Sequence, residues 1–444
     1  MTAAPISNRH IWQIAYPVLL SVMVEQIVSL TDTAFLGRVG EVELAASALG
    51  GVYFISIFVL CLGFATGSQI IMSRRNGEGR HAAIGEVFFH SLVFLLLLAA
   101  VVFVLTRWSA PWVMALVAKS PDVAAAAVAY IDWRVLGLFF SAVACLYRGF
   151  YVAITQTAVL TWNSVVMVVV NVVLDYLLIF GHCGLPRMGI AGAALASALA
   201  GLASMVFFII YTKARIDLSK YALNRLPRLR AGLFRGIFSV SVWSMLKDFL
   251  DCFTWFLFFA AVGTLGTSAL AVSNVVRAIS SVFFMIIAAF GLTATTLTGN
   301  LMGEGRTVEV PRALRRCIGL CALLLLPIAA FVVGFPELTL RIFTSDAHLI
   351  AAGRAPLLVL VSSYVFTIPA HILFRIVVGS GNTRTAFVVD LAAIVAYVAF
   401  IWIVIVRMQA PLAVGWLSEH VFYGFILIFS LIYLKKGKWH QKQV

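Results

Sequence analysis

Charge is what this sequence has least of. Only 11% of its 444 residues are Asp, Glu, Lys or Arg, against roughly 25% in average soluble domains. So few charges cannot coat a globular surface in water, which excludes an ordinary soluble enzyme, a disordered chain and a fibrous protein. Acids are the scarcer sign, with 18 Asp and Glu against 32 Lys and Arg and a net charge of +14. Cysteine is also sparse: Cys61, Cys145, Cys183, Cys252, Cys317 and Cys321 form no C-x-x-C pair and lie mostly in apolar runs. They are expected as buried thiols, neither a metal site nor a disulfide framework. Several chemical signatures are missing altogether. There is no G-x-x-x-x-G-K-[ST], no H-E-x-x-H, no G-x-S-x-G and no paired Asp-rich prenyl-diphosphate motif. Neither nucleotide drive nor membrane-enzyme chemistry is expected, and no organic cofactor.

What is abundant is apolar sequence, 62% of the chain. A helix needs about 20 apolar residues to cross the roughly 30 Å hydrocarbon layer. Twelve such runs are present, near 11–36, 44–73, 83–106, 123–152, 158–180 and 189–212, then 234–263, 268–301, 312–335, 350–378, 386–406 and 411–434. Stretches such as 92–105 do not alternate apolar with polar, so the spans are helical and not barrel strands. The first run contains Pro17, Glu25 and Asp32 and lacks a small-residue cleavage site, so it reads as a retained span. The expected fold class is an all-α polytopic membrane protein.

An even number of spans puts both ends on one side. That side gathers Arg74, Arg75, Arg80, the basic stretch from Lys213 to Arg235, Arg306, Arg312, Arg315, Arg316, Arg384 and Lys435, Lys436, Lys438 and Lys442. The opposite loops hold only Arg38, Arg107, Lys119, Arg187, Arg341 and Arg407. The positive-inside rule then predicts cytoplasmic termini, and the basic excess points to anionic lipid instead of nucleic acid. The expected division is an N-lobe over 1–212, a basic cytoplasmic linker over 213–233 and a C-lobe over 234–444.

The lobes repeat each other. A shift of 226 residues carries Gly40 onto Gly266, Leu44 onto Leu270, Ala45 onto Ala271, Ser47 onto Ser273 and Phe64 onto Phe290. It also carries Gly77-Glu78-Gly79-Arg80 onto Gly303-Glu304-Gly305-Arg306. Six spans separate the copies, so the repeat is parallel, with a pseudo-twofold axis along the membrane normal, a known carrier architecture.

An acid at the bilayer centre costs about 2.5–3.5 kcal/mol on insertion scales, so the few present are candidate working groups. Glu25 and Asp32 lie two turns apart on one face of the first span, which also contains Pro17, a site for a kink. Asn171 and Asp175 share a face of the fifth. Two carboxylates and an amide oxygen can hold a proton or a sodium ion. In the seventh span Lys247 and Asp251 are spaced for an ion pair, and the 226-residue shift carries Glu25 onto Asp251. These two acids are therefore expected beside a cavity, as substrate or C-lobe coupling groups. Weaker candidates are Arg134, Arg148, Arg277, Arg375, His90, His371, Asp390, Glu419 and His420. Phe139, Phe140, Phe283, Phe284 and Met285 are candidate wall residues. With no nucleotide motif, an ion gradient is the expected energy source, worth about 2.3 kcal/mol per charge across 100 mV.

These features together resemble the multidrug and toxic compound extrusion (MATE) family of the MOP flippase superfamily. The residues carrying the resemblance are I-A-Y-P-V-L-L at 14–20 followed by D-T-A-F-L-G at 32–37, the Asn171 to Asp175 spacing, and G-I-A-G-A-A-L-A-S at 189–197. V-G-T-L-G-T-S-A-L-A at 262–271 and G-S-G-N-T-R at 379–384 add to it. The resemblance covers the whole chain and implies twelve helices in two six-helix bundles. It further implies efflux of small organic, cationic substrates by alternating access, driven by protons or sodium across a bacterial cytoplasmic membrane, with the protein a monomer. Asp32, Asn171, Asp175 and Ser197 would form an N-lobe cation site with Pro17 as the bending point, as in DinF-like members; Ser197 stands where a threonine is usual. Asp251 stands where NorM-like members keep a glutamate, and Thr367 where some place an acid. A lipid-linked saccharide or peptidoglycan-precursor flippase is the alternative within the superfamily; a cluster of cavity arginines would favour it.

Overall fold

The computed structural model describes residues 7–118, 120–436 and 439; Lys119, Lys438 and Lys442 lie outside them. The first half contains α1 (Asn8–Val39), α2 (Glu41–Gly77), α3 (His81–Val117), α4 (Pro121–Arg134), α5 (Gly137–Ala153), α6 (Ala158–Phe180) and α7 (Ile190–Arg215). The second contains α8 (Ala231–Gly263), α9 (Thr267–Gly303), α10 (Val310–Gly334), α11 (Pro336–Arg341), α12 (Ala347–Gly379), α13 (Thr383–Ile401), α14 (Leu412–Gly415) and α15 (Ser418–Lys436). There is no strand among the described residues.

Ten helical stretches are each long and apolar enough to cross a membrane, and α4 with α5 makes an eleventh, bent by 50°. The seventh apolar run, α8, has the length but carries Lys247, Asp248 and Asp251 in its membrane part. The fold is thus the expected twelve-span, all-helical one. The fourth span departs from expectation: it is not one helix over 123–152 but two, broken at Val135–Leu136. The eleventh ends in a π-helical turn, Trp402–Arg407. The cysteines also need one correction. All six are free, but only Cys61, Cys317 and Cys321 are buried; Cys145 and Cys252 are half-buried on their helices, and Cys183 is exposed, because it lies in the loop after α6 and not in a span.

The internal repeat extends to helix boundaries. Adding 226 to the ends of α2, 41 and 77, gives 267 and 303, the ends of α9. Adding it to the ends of the bent fourth span, 121 and 153, gives 347 and 379, the ends of α12. Gly79 and Gly305, at equivalent positions of the Gly-Glu-Gly-Arg turns, take φ of +70° and +73°, a left-handed conformation that glycine adopts without Cβ strain. The N-caps repeat too. Ser120 accepts from the Val123 amide before α4, and Asp346 accepts from the His348 and Leu349 amides before α12.

The described residues form two compact units, one spanning Tyr16–Met245 and the other joining the start of α1, through Ala15, to Leu246 onward. Within the first unit, α6 and α7 pack at glycine distance. A Cβ on Gly192 would stand 2.7 Å from the Leu178 carbonyl oxygen, so no larger residue fits without separating the helices. Gly192→Val is therefore expected to destabilise by about 1–3 kcal/mol through overpacking. A thermal melt of the purified protein checks this; an unchanged melting temperature would contradict the close packing.

Candidate functional site

Helices α1, α6 and α7 bring four polar side chains to one point inside the first unit. Asn171 and Asp175, one turn apart on α6, are both fully buried, and Ser197 on α7 is nearly so. Ser197 Oγ donates to Asp32 Oδ2 at 3.3 Å. The Asn171 amide bridges both acids when its nitrogen faces them, donating to Asp175 Oδ2 and Asp32 Oδ1 at 3.1 Å each. Its other terminus then lies 3.4 Å from Ser197 Oγ. Asp175 Oδ1 has no hydrogen-bond partner although it is buried. Asp32, Asn171, Asp175 and Ser197 are thus in mutual contact, with one carboxylate oxygen unsatisfied. Two carboxylates, an amide and a hydroxyl this close make an oxygen-rich set that suits a proton or a small hard cation. No group of three or more His, Cys, Asp or Glu side chains with metal-binding geometry occurs among the described residues. Pro17 lies inside α1, where it withholds one backbone donor. Its carbonyl accepts from Thr161 Oγ1 at 3.2 Å, which ties this turn of α1 to α6.

Glu25 sits elsewhere on the same helix and is engaged. Arg148 of α5 meets it through Nη2 to Oε1 at 2.9 Å and Nη1 to Oε2 at 3.4 Å. Ser21 and Ser164 complete the group: Arg148 Nη2 donates to Ser21 Oγ at 2.9 Å, and the two hydroxyls lie 2.6 Å apart. Glu25 is therefore a neutralised acid inside its own unit, not a free cavity carboxylate.

The second unit builds the repeat-related group. Lys247 Nζ meets Asp251 Oδ2 at 2.5 Å and Asp248 Oδ1 at 3.2 Å. The 226-residue offset relates Lys247 to Ser21, Asp251 to Glu25 and Asp390 to Ser164. Asp390 of α13 is buried, lies in the field of Asp251 and Lys247, and has one carboxylate oxygen, Oδ2, with no hydrogen-bond partner. Arg375 of α12 also lies near these acids, and its Nε and Nη2 approach His371 Nε2 at 3.2 Å each. Gly291 makes room for this, since a Cβ there would stand 2.8 Å from the imidazole. The same location thus holds a paired acid in both halves. The cation comes from a neighbouring helix in one and from the acid's own helix in the other.

The remaining candidates have local explanations. His90 contacts the Glu86 carbonyl at 2.7 Å through Nδ1 and accepts from the Arg230 amide at 3.0 Å. Arg134 lies over the Phe54 ring and Arg277 over the Phe259 ring. Thr367 is buried and donates back to the Ser363 carbonyl at 3.0 Å. Sequence reasoning missed Ser21, Ser164 and the joining of Arg148 to Glu25. It also did not connect Asp390, His371 and Arg375 to Lys247. Extending the 226-residue shift from glycines to polar positions brings out the two serines and Asp390.

A helical membrane protein of two repeated six-span halves, with a polar quartet gathered inside the first, is the class that fold and site define. The MatE family model matches residues 17–177 and 244–403, most of the chain and one copy in each half, and the chain belongs to this family. Among curated relatives, the "Probable multidrug resistance protein NorM" of Rhizobium meliloti is 25% identical over 81% of this chain and 78% of its own length. That of Thermotoga maritima is 21% identical over 99% and 95%. Among solved structures, an outward-facing multidrug resistance MATE family transporter of the MOP superfamily superposes with a TM-score of 0.89 at 18% identity, covering 98% of this chain and 97% of that one. A MOP superfamily transporter from Pyrococcus furiosus gives 0.88 at 18%, with the same coverage.

Proposed function

We propose that this protein is a secondary-active multidrug efflux transporter, not an enzyme. On this reading it exchanges small organic cations for protons or sodium ions by alternating access of its two lobes. The observation that carries the reading is the contact of Asp32, Asn171, Asp175 and Ser197 inside spanning helices. Two acids held together inside spanning helices, Asp175 buried and Asp32 half-buried, are otherwise unexplained by packing. Family membership and the names of the relatives support multidrug efflux. The location that follows is a bacterial cytoplasmic membrane with both termini in the cytoplasm, supported by the loop distribution of Lys and Arg.

The quartet has the parts for coupling. Loading it with a proton or sodium ion would relieve repulsion between Asp32 and Asp175, and emptying it would restore that repulsion. Asp32 and Pro17 share α1, so a change of charge at the quartet acts on a helix already short of one backbone bond. The arginines that a pyrophosphate-bearing lipid would need are engaged separately, Arg148 with Glu25 and Arg375 with His371. That favours organic cations over lipid-linked sugars.

The test is ethidium efflux from proteoliposomes with a pH gradient alone and then a sodium gradient alone. Uphill efflux under one of them is expected. No uphill efflux under either, in protein that binds ethidium, would refute secondary-active coupling.

A further inference from the structure

The segment between α7 and α8 is held at two points and open between them. At the first, Tyr221 is buried, with its ring 5.5 Å from His81 and 5.5 Å from Phe150, centroid to centroid. Gly85 of α3 admits its backbone, since a Cβ there would collide with the Tyr221 carbonyl oxygen. At the second, the Arg230 amide donates to His90 Nε2 at 3.0 Å, and the Phe234 ring stands edge-on to the same imidazole at 4.8 Å. All of these residues belong to the first unit. Between the two anchors, Arg225-Leu226-Pro227-Arg228-Leu229 has no regular secondary structure, and none of its amides makes a hydrogen bond among the described residues.

His90 also fixes the depth of this segment. Residues 91–106 of α3 carry no charge, and Arg107 follows them. At a helical rise of about 1.5 Å per residue, His90 and Arg107 stand roughly 25 Å apart, against a hydrocarbon layer about 30 Å thick. Arg230, bonded to His90, therefore lies at one edge of that layer, at the level of lipid headgroups. Here Leu226 is 86% exposed and Leu229 60%, with Arg225 and Arg228 exposed beside them. The neighbouring acids are engaged. Asp217 accepts from the Ser219 and Lys220 amides, and Glu86 pairs with Arg230 at 3.7 Å, which leaves Arg225 and Arg228 without a carboxylate partner among the described residues.

We infer that residues 225–229 form a binding site for the headgroup of an anionic phospholipid. Arg225 and Arg228 supply charge-assisted donors to its phosphate, and the unbonded amides add neutral ones. Leu226 and Leu229 offer apolar surface to the acyl boundary, which a water-soluble phosphate cannot cover. The alternation of base and leucine thus matches the two parts of one lipid. Pro227 restricts its own φ and holds Leu226 extended, so less chain freedom is lost on binding. The general basic excess of the loops orients the chain without naming a contact; this segment adds a particular one. The site requires only that the helices span a bilayer and stands apart from the efflux reading.

The experiment measures backbone hydrogen exchange over this segment in the full chain, in nanodiscs of phosphatidylglycerol and of phosphatidylcholine with the same acyl chains. Exchange at Leu226, Arg228 and Leu229 is expected to be about threefold to tenfold slower in phosphatidylglycerol. Arg225→Gln with Arg228→Gln is expected to remove that difference, and Leu226→Ser with Leu229→Ser to reduce it by about half or more. Arg312→Gln with Arg315→Gln, which takes as much exposed charge from α10, is expected to leave it unchanged. Glycerol 3-phosphate added to phosphatidylcholine discs is expected to slow nothing. Thermal melts of each variant confirm folding. Equal exchange in the two lipids by wild-type protein would overturn the site. So would a difference that survives in the Arg225 and Arg228 variant or is lost in the α10 variant, since either would trace it to charge elsewhere on the chain. Protection by glycerol 3-phosphate equal to that in phosphatidylglycerol would make this a soluble-phosphate site and overturn the lipid assignment. None of these outcomes bears on ion-driven efflux.

Discussion

Asp32→Asn is expected to reduce uphill efflux to background, a loss of about 100-fold or more, while leaving the protein folded. The amide is nearly isosteric with the carboxylate and still accepts from Ser197 Oγ, which lies 3.3 Å from Asp32 Oδ2. Its charge is gone, and with it the change in repulsion against Asp175 that binding and release of a cation would modulate. Removing the charge of half-buried Asp32 beside buried Asp175 relieves a repulsion, so the melting temperature is expected to hold or rise. Asp175→Asn is expected to behave in the same way. Its Oδ1 is buried without a partner, so an amide there loses no existing bond. Efflux of ethidium from proteoliposomes and a thermal melt of each variant check both halves of this expectation.

The Glu25–Arg148 pair is expected to matter for stability and not for coupling. Removing one partner of a fully buried pair costs about 3–5 kcal/mol, because the other charge is left unpaired. Here the side chains keep 26% and 32% of their exposure, so about 1–3 kcal/mol is expected for Glu25→Gln or Arg148→Gln alone. The double variant removes both charges and is expected to recover most of that loss, a coupling that a double-mutant cycle reads directly. The double variant is also expected to retain uphill efflux. Additive losses in the cycle would mean that the two residues act independently, and lost efflux in a stable double variant would return Glu25 to the transport machinery.

Much of this was legible in the sequence because the bilayer imposes a simple rule. Spans must be long, apolar and helical, so their number follows from run length and their kinship from one offset. The quartet was legible in part. Asn171 and Asp175 share a helix face by spacing, but only family resemblance joined them to Asp32 and Ser197. The Glu25 partnership was not legible, since Arg148 is 123 residues away and nothing local distinguishes it from Arg134 or Arg277. The break at Val135–Leu136 was equally hidden, because apolar composition continues across it while the backbone turns by 50°. Its repeat partner, α12, runs through as a single helix, so helical periodicity alone does not separate the two outcomes.

The central claim is that the quartet of Asp32, Asn171, Asp175 and Ser197 links ion movement to substrate movement. The most direct measurement compares two modes of transport by the Asp32→Asn protein in the same liposomes. One is gradient-driven accumulation of ethidium against its own gradient; the other is exchange of labelled for unlabelled ethidium with no ion gradient imposed. The account predicts that exchange persists near the wild-type rate while accumulation falls to background. Accumulation at the wild-type level, with the same ion gradient, would contradict it.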